Sequence, residues 1–196
     1  KVRLLKDGKL KKKDINNSTI YRGDDNKYYE QIGNQVIDIT EEIPYELPQN
    51  WIFTRLSTLC WLDDGVKQSG EQLPYMDAKY HRGKGDVCYH TTGKVVDPQC
   101  KVILVDGENS GEVFSVPVDG YMGSTFKQLW ISSELHLPYI LHFILFYKEQ
   151  LRNSKKGAAI PHLNKEIFYN LLVGIPPLKE QYRISESVVN LFSKLS

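Results

Sequence analysis

The sequence predicts an α+β fold, a curved and mostly antiparallel β-sheet or partial barrel with packed helices, ending in an amphipathic helix. Three observations predict it. Short β-prone runs divided by Gly/Asp/Asn clusters fill the chain from Ser18 to about Trp130, the pattern of hairpins and a strongly bent sheet. The character switches after Pro138 to an apolar helical face through Tyr139, Ile140, Phe143, Ile144, Phe146 and Tyr147. Finally, Pro176-Pro177 opens a last helix with Ile184, Val188, Leu191 and Leu195 at spacings of 4, 3 and 4.

The elements follow in order. Residues 1–13 carry Lys1, Arg3, Lys6, Lys9, Lys11, Lys12 and Lys13 against Asp7 alone, and the stretch after them turns acidic from Asp24 to Glu46. Ser18-Thr19-Ile20-Tyr21, Tyr28-Tyr29-Glu30 and Val36-Ile37-Asp38-Ile39, with turns at Gly23-Asp24-Asp25-Asn26 and Gly33-Asn34, read as hairpin strands. This lead-in is expected to lie on the surface rather than in a core. Pro44 and Pro48 then punctuate the approach to Trp51. Strands are expected at Trp51 to Arg55, Leu73 to Met76, Val87 to His90, Val102 to Val105 and Val113 to Val116. Pro138 suits a helical first turn, and Arg152, Lys155, Lys156 and Gly157 close that helix with the charge expected at a C-terminus. Asn164 is placed to cap a short helix through Phe168, and Leu171-Leu172-Val173 reads as a strand. The last helix has a heptad seam covering fewer than two heptads, where a coiled coil is read from ~3–4.

Composition bounds the function. The chain has 196 residues, 41% of them hydrophobic, with 25 Lys+Arg against 24 Asp+Glu. That is enough for one domain with an appendage or two small ones, and for a core without metal or disulfide staples. The balance of charge excludes a uniformly basic coat, so any nucleic-acid contact must come from a local patch. The longest apolar-rich stretch, Leu137 to Tyr147, is interrupted by His142 and too short to span a bilayer. No signal peptide is read at the start, and the three cysteines, Cys60, Cys88 and Cys100, show no C-x-x-C spacing. Together these point to a cytoplasmic protein with free thiols and no membrane association. His136 and His142 lie six apart, on different faces of a helix, so no metal site is read. A first residue Lys1 rather than Met leads us to expect a piece of something longer.

Several strings, in order, resemble a known family. Leu47-Pro48-Gln49-Asn50-Trp51 followed by Leu56, Gln72-Leu73-Pro74-Tyr75-Met76, the turns Ile103 to Gly111 and Gly120 to Thr125, and Gly157 to Leu163 all fit. The closing Ile175-Pro176-Pro177-Leu178-Lys179-Glu180-Gln181-Tyr182-Arg183-Ile184 carries the most weight. The chain resembles the target recognition domains of type I restriction–modification specificity (S) subunits, over roughly Ile43 to Leu195. The resemblance implies a division into a basic-then-acidic connector with a hairpin (1–42), a DNA target recognition domain (43–175) and the start of a long spacer (coiled-coil) helix (176–196). It implies double-stranded DNA as partner, one half of a split target read by this domain, and docking to methyltransferase (M) subunits and a restriction (R) subunit. A second recognition domain, in the same chain or as a self-paired copy, would read the other half. No cofactor is expected on this chain; S-adenosylmethionine, Mg²⁺ and ATP belong to the partner subunits. The alternative is a DNA-reading module of a fused single-chain restriction/modification enzyme whose catalytic domain lies outside this sequence.

Two segments have the composition for DNA contact, which needs cations for phosphates and side chains reaching base edges. Asp77 to Gly85 places Lys79, Tyr80, His81, Arg82 and Lys84 in a glycine-rich loop. Arg82 has the fork for guanine O6/N7, while Lys79 and Lys84 suit phosphates. The competing reading is a solvated charged turn. Lys155, Lys156, His162, Asn164 and Lys165 form the second group, with Asn164 the natural bidentate partner of adenine. Here the competing reading is a helix C-cap followed by an N-cap. Asn109, Ser124, Thr125 and Lys127 sit in or beside glycine turns, where turn chemistry explains them as well. The seam Ile184, Val188, Leu191 and Leu195 either packs on the domain or awaits a partner helix.

No catalytic constellation is present in the sequence. Gly107 to Gly111 has its serine one position late for a nucleophile elbow, no acidic residue precedes Lys79 at nuclease spacing, and Pro176-Pro177 lacks the amide and ring of a base-methylating motif. The chain is read as a non-catalytic DNA-binding subunit.

Overall fold

The computed structural model describes residues 18–152 and 161–195. Its contacts sort these into two compact units, one of residues 18–60, 131–143 and 168–195, the other of 61–130, 144–152 and 161–167.

In the first unit, β1 (Ser18–Arg22), β2 (Tyr28–Ile32) and β3 (Gln35–Asp38) form an antiparallel sheet. A 3-10 turn at Thr40–Glu42 follows. The Asp38 carboxylate accepts from the Thr40 hydroxyl (2.6 Å) and amide (3.0 Å), which hold its pKa down to about 2. Most of this lead-in is exposed, as its acidic composition suggests, but three of its residues are buried. Ile20 and Ile39 are buried in one cluster with Phe53 and Leu172. Glu30 is buried because Arg55 neutralises it: Nη2 at 2.7 Å and Nε at 3.0 Å. The same guanidinium reaches Glu42 at 2.8 Å and donates to the Asn170 carbonyl at 2.8 Å. An acidic segment is thus balanced by a cation the local sequence does not contain.

β4 (Ile52–Arg55) leads into one helical turn, α1 (Leu56–Leu59), and pairs antiparallel with β12 (Leu172–Ile175), Ile52 opposite Ile175 and Arg55 opposite Leu172. The strings that open and close the family-like region meet here. Trp51 Nε1 donates to Glu180 Oε2 at 3.1 Å. Gln181, buried at 2% exposure, accepts from the His136 amide and donates to the Pro176 carbonyl, both at 2.9 Å. A single amide side chain satisfies a carbonyl and an N–H that no strand or helix covers. Both residues sit in the first turn of the terminal helix, α6 (Leu178–Leu195). Its seam is only half covered: Ile184 and Val188 are half-buried, whereas Leu191 and Leu195 are 62% and 83% exposed.

The second unit begins with β5 (Cys60–Asp63), β6 (Lys67–Met76), the single turn α2 (Ala78–His81) and β7 (Tyr89–Val96). It continues through β8 (Lys101–Leu104), β9 (Val113–Ser115), β10 (Gly120–Met122) and β11 (Phe126–Ile131). One sheet has the order β5-β11-β8-β9. In the other, β6 and β7 are antiparallel, β7 and β10 are antiparallel, and β10 contacts β6 in parallel through Tyr121↔Tyr75 and Met122↔Met76. Three strands paired in a cycle require a tight bend. Gly93 permits close approach of the strands, since a Cβ there would sit 2.7 Å from the Tyr121 side chain. Met76, Val96, Val102, Leu104, Val116, Met122 and Phe126 form the core between the strands. The expected α+β class with mostly antiparallel, curved sheets is the one observed. β5, β10 and β11 were not among the expected strands. The helix expected to run on from Pro138 is two, α3 (Leu137–Phe146) and α4 (Lys148–Arg152).

After α4, residues 161–164 return to the β8 side: Gly107 N–H donates to the Pro161 carbonyl and Leu163 N–H to the Val105 carbonyl, both at 2.8 Å. Asn164 then caps α5 (Lys165–Asn170), its Oδ1 accepting from the amides of Glu166 (3.0 Å) and Ile167 (3.1 Å). Two expectations about stability follow. Arg55→Ala leaves the Glu30 carboxylate buried without its partner and lowers stability by about 3–5 kcal/mol in urea unfolding. A loss below ~1 kcal/mol would show that Glu30 finds water instead. Asn164→Ala costs about 1 kcal/mol in the same measurement while Asn164→Asp stays near the parent, the signature of a cap.

Candidate nucleic-acid interface

All but one of the described candidate DNA-contacting residues fall into two neighbouring groups of the second unit. Four of them, Lys127, His162, Asn164 and Lys165, line one cavity of about 430 Å³, together with Asp64, Val105, Asp106, Ser124, Phe126 and Leu163. The β5-β11-β8-β9 sheet supplies Lys127 from β11, the turn after β5 supplies Asp64, and the stitched segment 161–165 closes the side.

The electrostatics of this cavity are local and balanced. The Lys127 side chain is only 12% exposed and is paired with Asp64, whose carboxyl that hydrogen bond holds below its ordinary range. Lys94 approaches the same carboxylate at 3.6 Å. Lys165 lies close enough to Lys127 that partial burial, then the neighbouring ammonium, push its pKa down. Such a crowded ammonium gains from an incoming anion. His162 Nδ1 is 2.7 Å from Asp106 Oδ1, within an isolated bridge between those two residues.

Asn164 is held by its cap. Both lone pairs of Oδ1 are occupied by backbone N–H groups, so the acceptor needed for adenine N6 is already in use. The expected adenine contact is therefore replaced by the cap, a role the sequence also allowed.

The second group surrounds α2, which is a capped helical turn rather than an open loop. The Asp77 carboxylate accepts from the amides of Lys79 and Tyr80, each at 2.9 Å. Tyr80 packs against the core. His81 stacks on Phe114 (4.9 Å) and meets Phe126 edge-on (5.3 Å), and burial lowers its pKa. Its Nε2 is buried with no hydrogen-bond partner among the described residues. Both rings are thus engaged in packing. Arg82 is paired with Glu112 and lies over the Phe114 ring at 5.8 Å, so its fork is engaged within the protein. Lys79 and Lys84 are exposed. Phe126 joins the two groups, lining the cavity on one side and touching His81 on the other.

Asn109 is exposed in a turn fixed by Gly107 and Gly111 at φ of +107° and +92°, and it does not line the cavity. Lys155 and Lys156 lie outside the described residues. Asp64 and Asp106 were missed: the sequence presents them as Asp-Gly turn residues, and only the fold aims them at lysine and histidine. Among the described residues no group of three or more His, Cys, Asp or Glu side chains is arranged to hold a metal ion, and no helix is long and apolar enough to cross a membrane.

Comparison with known proteins gives this geometry a family. The type I restriction enzyme MjaVIII specificity subunit of Methanocaldococcus jannaschii is 30% identical over 151 residues, covering 71% of this chain and 35% of that protein. The chain thus spans about a third of the length of that relative. Among solved structures, the HsdS subunit from Thermoanaerobacter tengcongensis superimposes with a TM-score of 0.56 at 19% identity, over 77% of this chain and 39% of that one. A second structure, described as the structural basis underlying complex assembly and conformational transition of the type I R-M system, gives 0.57 at 19% identity, over 77% and 40%. At that identity the likeness is one of fold. Residues 9–195 match the sequence model of the type I restriction modification DNA specificity domain, and the chain belongs to that family.

Proposed function

We propose that this chain is a DNA target recognition domain that reads one half of a bipartite site and has no catalytic role of its own. The observation that carries the reading is the convergence of Lys127, His162 and Lys165 on a solvent-connected cavity, beside the exposed Lys79 and Lys84, in a protein of this family. Lys79, Lys84 and Lys165 hold phosphates. Lys127 shares its charge with Asp64 and keeps Lys165 crowded, so that a phosphate oxygen relieves the repulsion between them. Arg82 and Asn164 shape this surface through Glu112 and the α5 cap.

Membership of the family supports the same reading of the remaining complex. Methyltransferase and restriction subunits supply S-adenosylmethionine, Mg²⁺ and ATP chemistry, and this chain supplies their address on the duplex. The uncovered half of α6, with Val189, Leu191 and Leu195 exposed, acts as a spacer segment and receives a partner helix, either from a second recognition domain or from a second copy. Cytoplasmic residence fits three cysteines that form no disulfide, one of them, Cys88, exposed.

Phosphate contacts have a quantitative signature. Lys84→Ala and Lys165→Ala should each weaken binding to duplexes of every sequence alike. Each should also reduce the slope of log K against log salt by about 0.9, measured by fluorescence anisotropy from low to physiological salt. Unchanged slopes in both variants would remove these lysines from the interface.

A further inference from the structure

Arg82 and Asn164 already have partners at the surface and His81 is packed among rings, which directs the search for base-reading groups to the neighbouring strands. We propose that the β6–β7 ribbon, through the face carrying Ser69, Tyr75, His90 and Thr92, enters the major groove and makes the base contacts. This inference rests on the DNA-binding reading above and assigns its sequence-specific part.

The ribbon is built unlike a core element. Lys67 to Gln72 of β6 and Tyr89 to Thr92 of β7 are exposed at every position, on both faces. A strand in a globular domain ordinarily buries one face. Here folding gains little from the side chains, yet they are held in place. The Ser69 hydroxyl donates to Thr92 Oγ1 across the ladder at 3.0 Å. The Tyr75 and His90 rings stack at 4.4 Å with an interplanar angle of 13°. The irregular register between Ser69 and Leu73 is pinned by the Tyr121 hydroxyl, which donates to the Glu71 carbonyl at 3.0 Å. Preorganised hydroxyl and imidazole groups suit base edges, which offer donors and acceptors in fixed patterns.

Shape and continuity agree with this use. A major groove ~12 Å wide admits a two-stranded ribbon or a helix. Among the described residues, the helices lying wholly within the second unit, α2 and α4, have four and five residues, too short to serve as a groove helix. The ribbon face also runs directly into the cavity. Side chains alternate along a strand, so Lys94 shares the side of Thr92 and His90, and Lys94 reaches Asp64 at 3.6 Å. On the other strand the Tyr75 hydroxyl accepts from the Ser124 amide at 3.0 Å. Asp64 and Ser124 both line the cavity. Base-reading groups and phosphate-holding lysines therefore occupy one continuous surface, the division of labour a specific interface needs.

The test is selection of binding sites by the full chain from a duplex library with a randomised core, repeated with His90→Ala and Thr92→Val. Both positions are exposed, so melting temperatures should stay at the parent value, which separates misfolding from lost reading. The expected result is a change in preference of about fivefold or more at one or two base positions, with the salt slope unchanged. Selection of the parent's site at parent strength by both variants would overturn the assignment while leaving DNA binding intact. So would a parent that binds duplexes without preference. A parent that binds no duplex at low salt would overturn the DNA-binding reading itself, and the ribbon with it.

Discussion

The antiparallel pairing of β4 with β12 is the constraint on which the rest of the chain depends. It joins Ile52–Arg55 to Leu172–Ile175 across more than a hundred residues, a closure whose entropic cost grows only slowly with loop length. Local contacts offset that cost. Trp51 is tied to Glu180, Gln181 bridges Pro176 and His136, and Arg55 binds Glu30, Glu42 and Asn170. The whole second unit lies in sequence between these two strands. Substitutions at its exposed residues therefore leave the pairing that closes the fold undisturbed.

The site illustrates how a chain of nearly zero net charge can present a cationic grip. Its cations are concentrated, and several are restrained by a particular carboxylate. Asp64 receives Lys127 and Lys94, Glu112 receives Arg82, and Asp106 receives His162. In the free protein these pairs limit repulsion. Lys165 and the exposed Lys84 retain charge that an incoming phosphate can use. Surface pairs of this kind contribute little to stability. Their use here is geometric, since they hold long side chains near the cavity and the ribbon rather than letting them sweep through solvent.

The sequence made the scaffold more legible than the site. The strings around Trp51 and Pro176–Ile184 carried the family resemblance because Trp51, Glu180 and Gln181 make specific contacts with one another's surroundings. Asn164 was readable as a cap because capping is a local matter of three residues. β11 was hidden by Gln128, a polar residue at a buried position whose amide donates to the Val95 carbonyl. The burial of Glu30 was hidden in the same way, by a partner 25 residues away. The cavity brings together residues near 64, 105, 124 and 162, and no window of sequence contains that convergence. Glycine and charge content drew attention to residues 77–85. The tool for base reading lies instead on the strands flanking them, where the sequence shows only ordinary Ser, Thr and His.

The central claim is that one surface of the second unit, the cavity together with the β6–β7 ribbon, binds duplex DNA. Amide hydrogen exchange with and without mixed-sequence duplex at low salt measures this directly. Slowed exchange concentrated in residues 67–75, 89–94 and 161–165, with residues 18–42 and α6 unchanged, is the result this account requires. Protection confined to the β1–β3 sheet or to α6, with the ribbon and cavity exchanging as in the free protein, would contradict it.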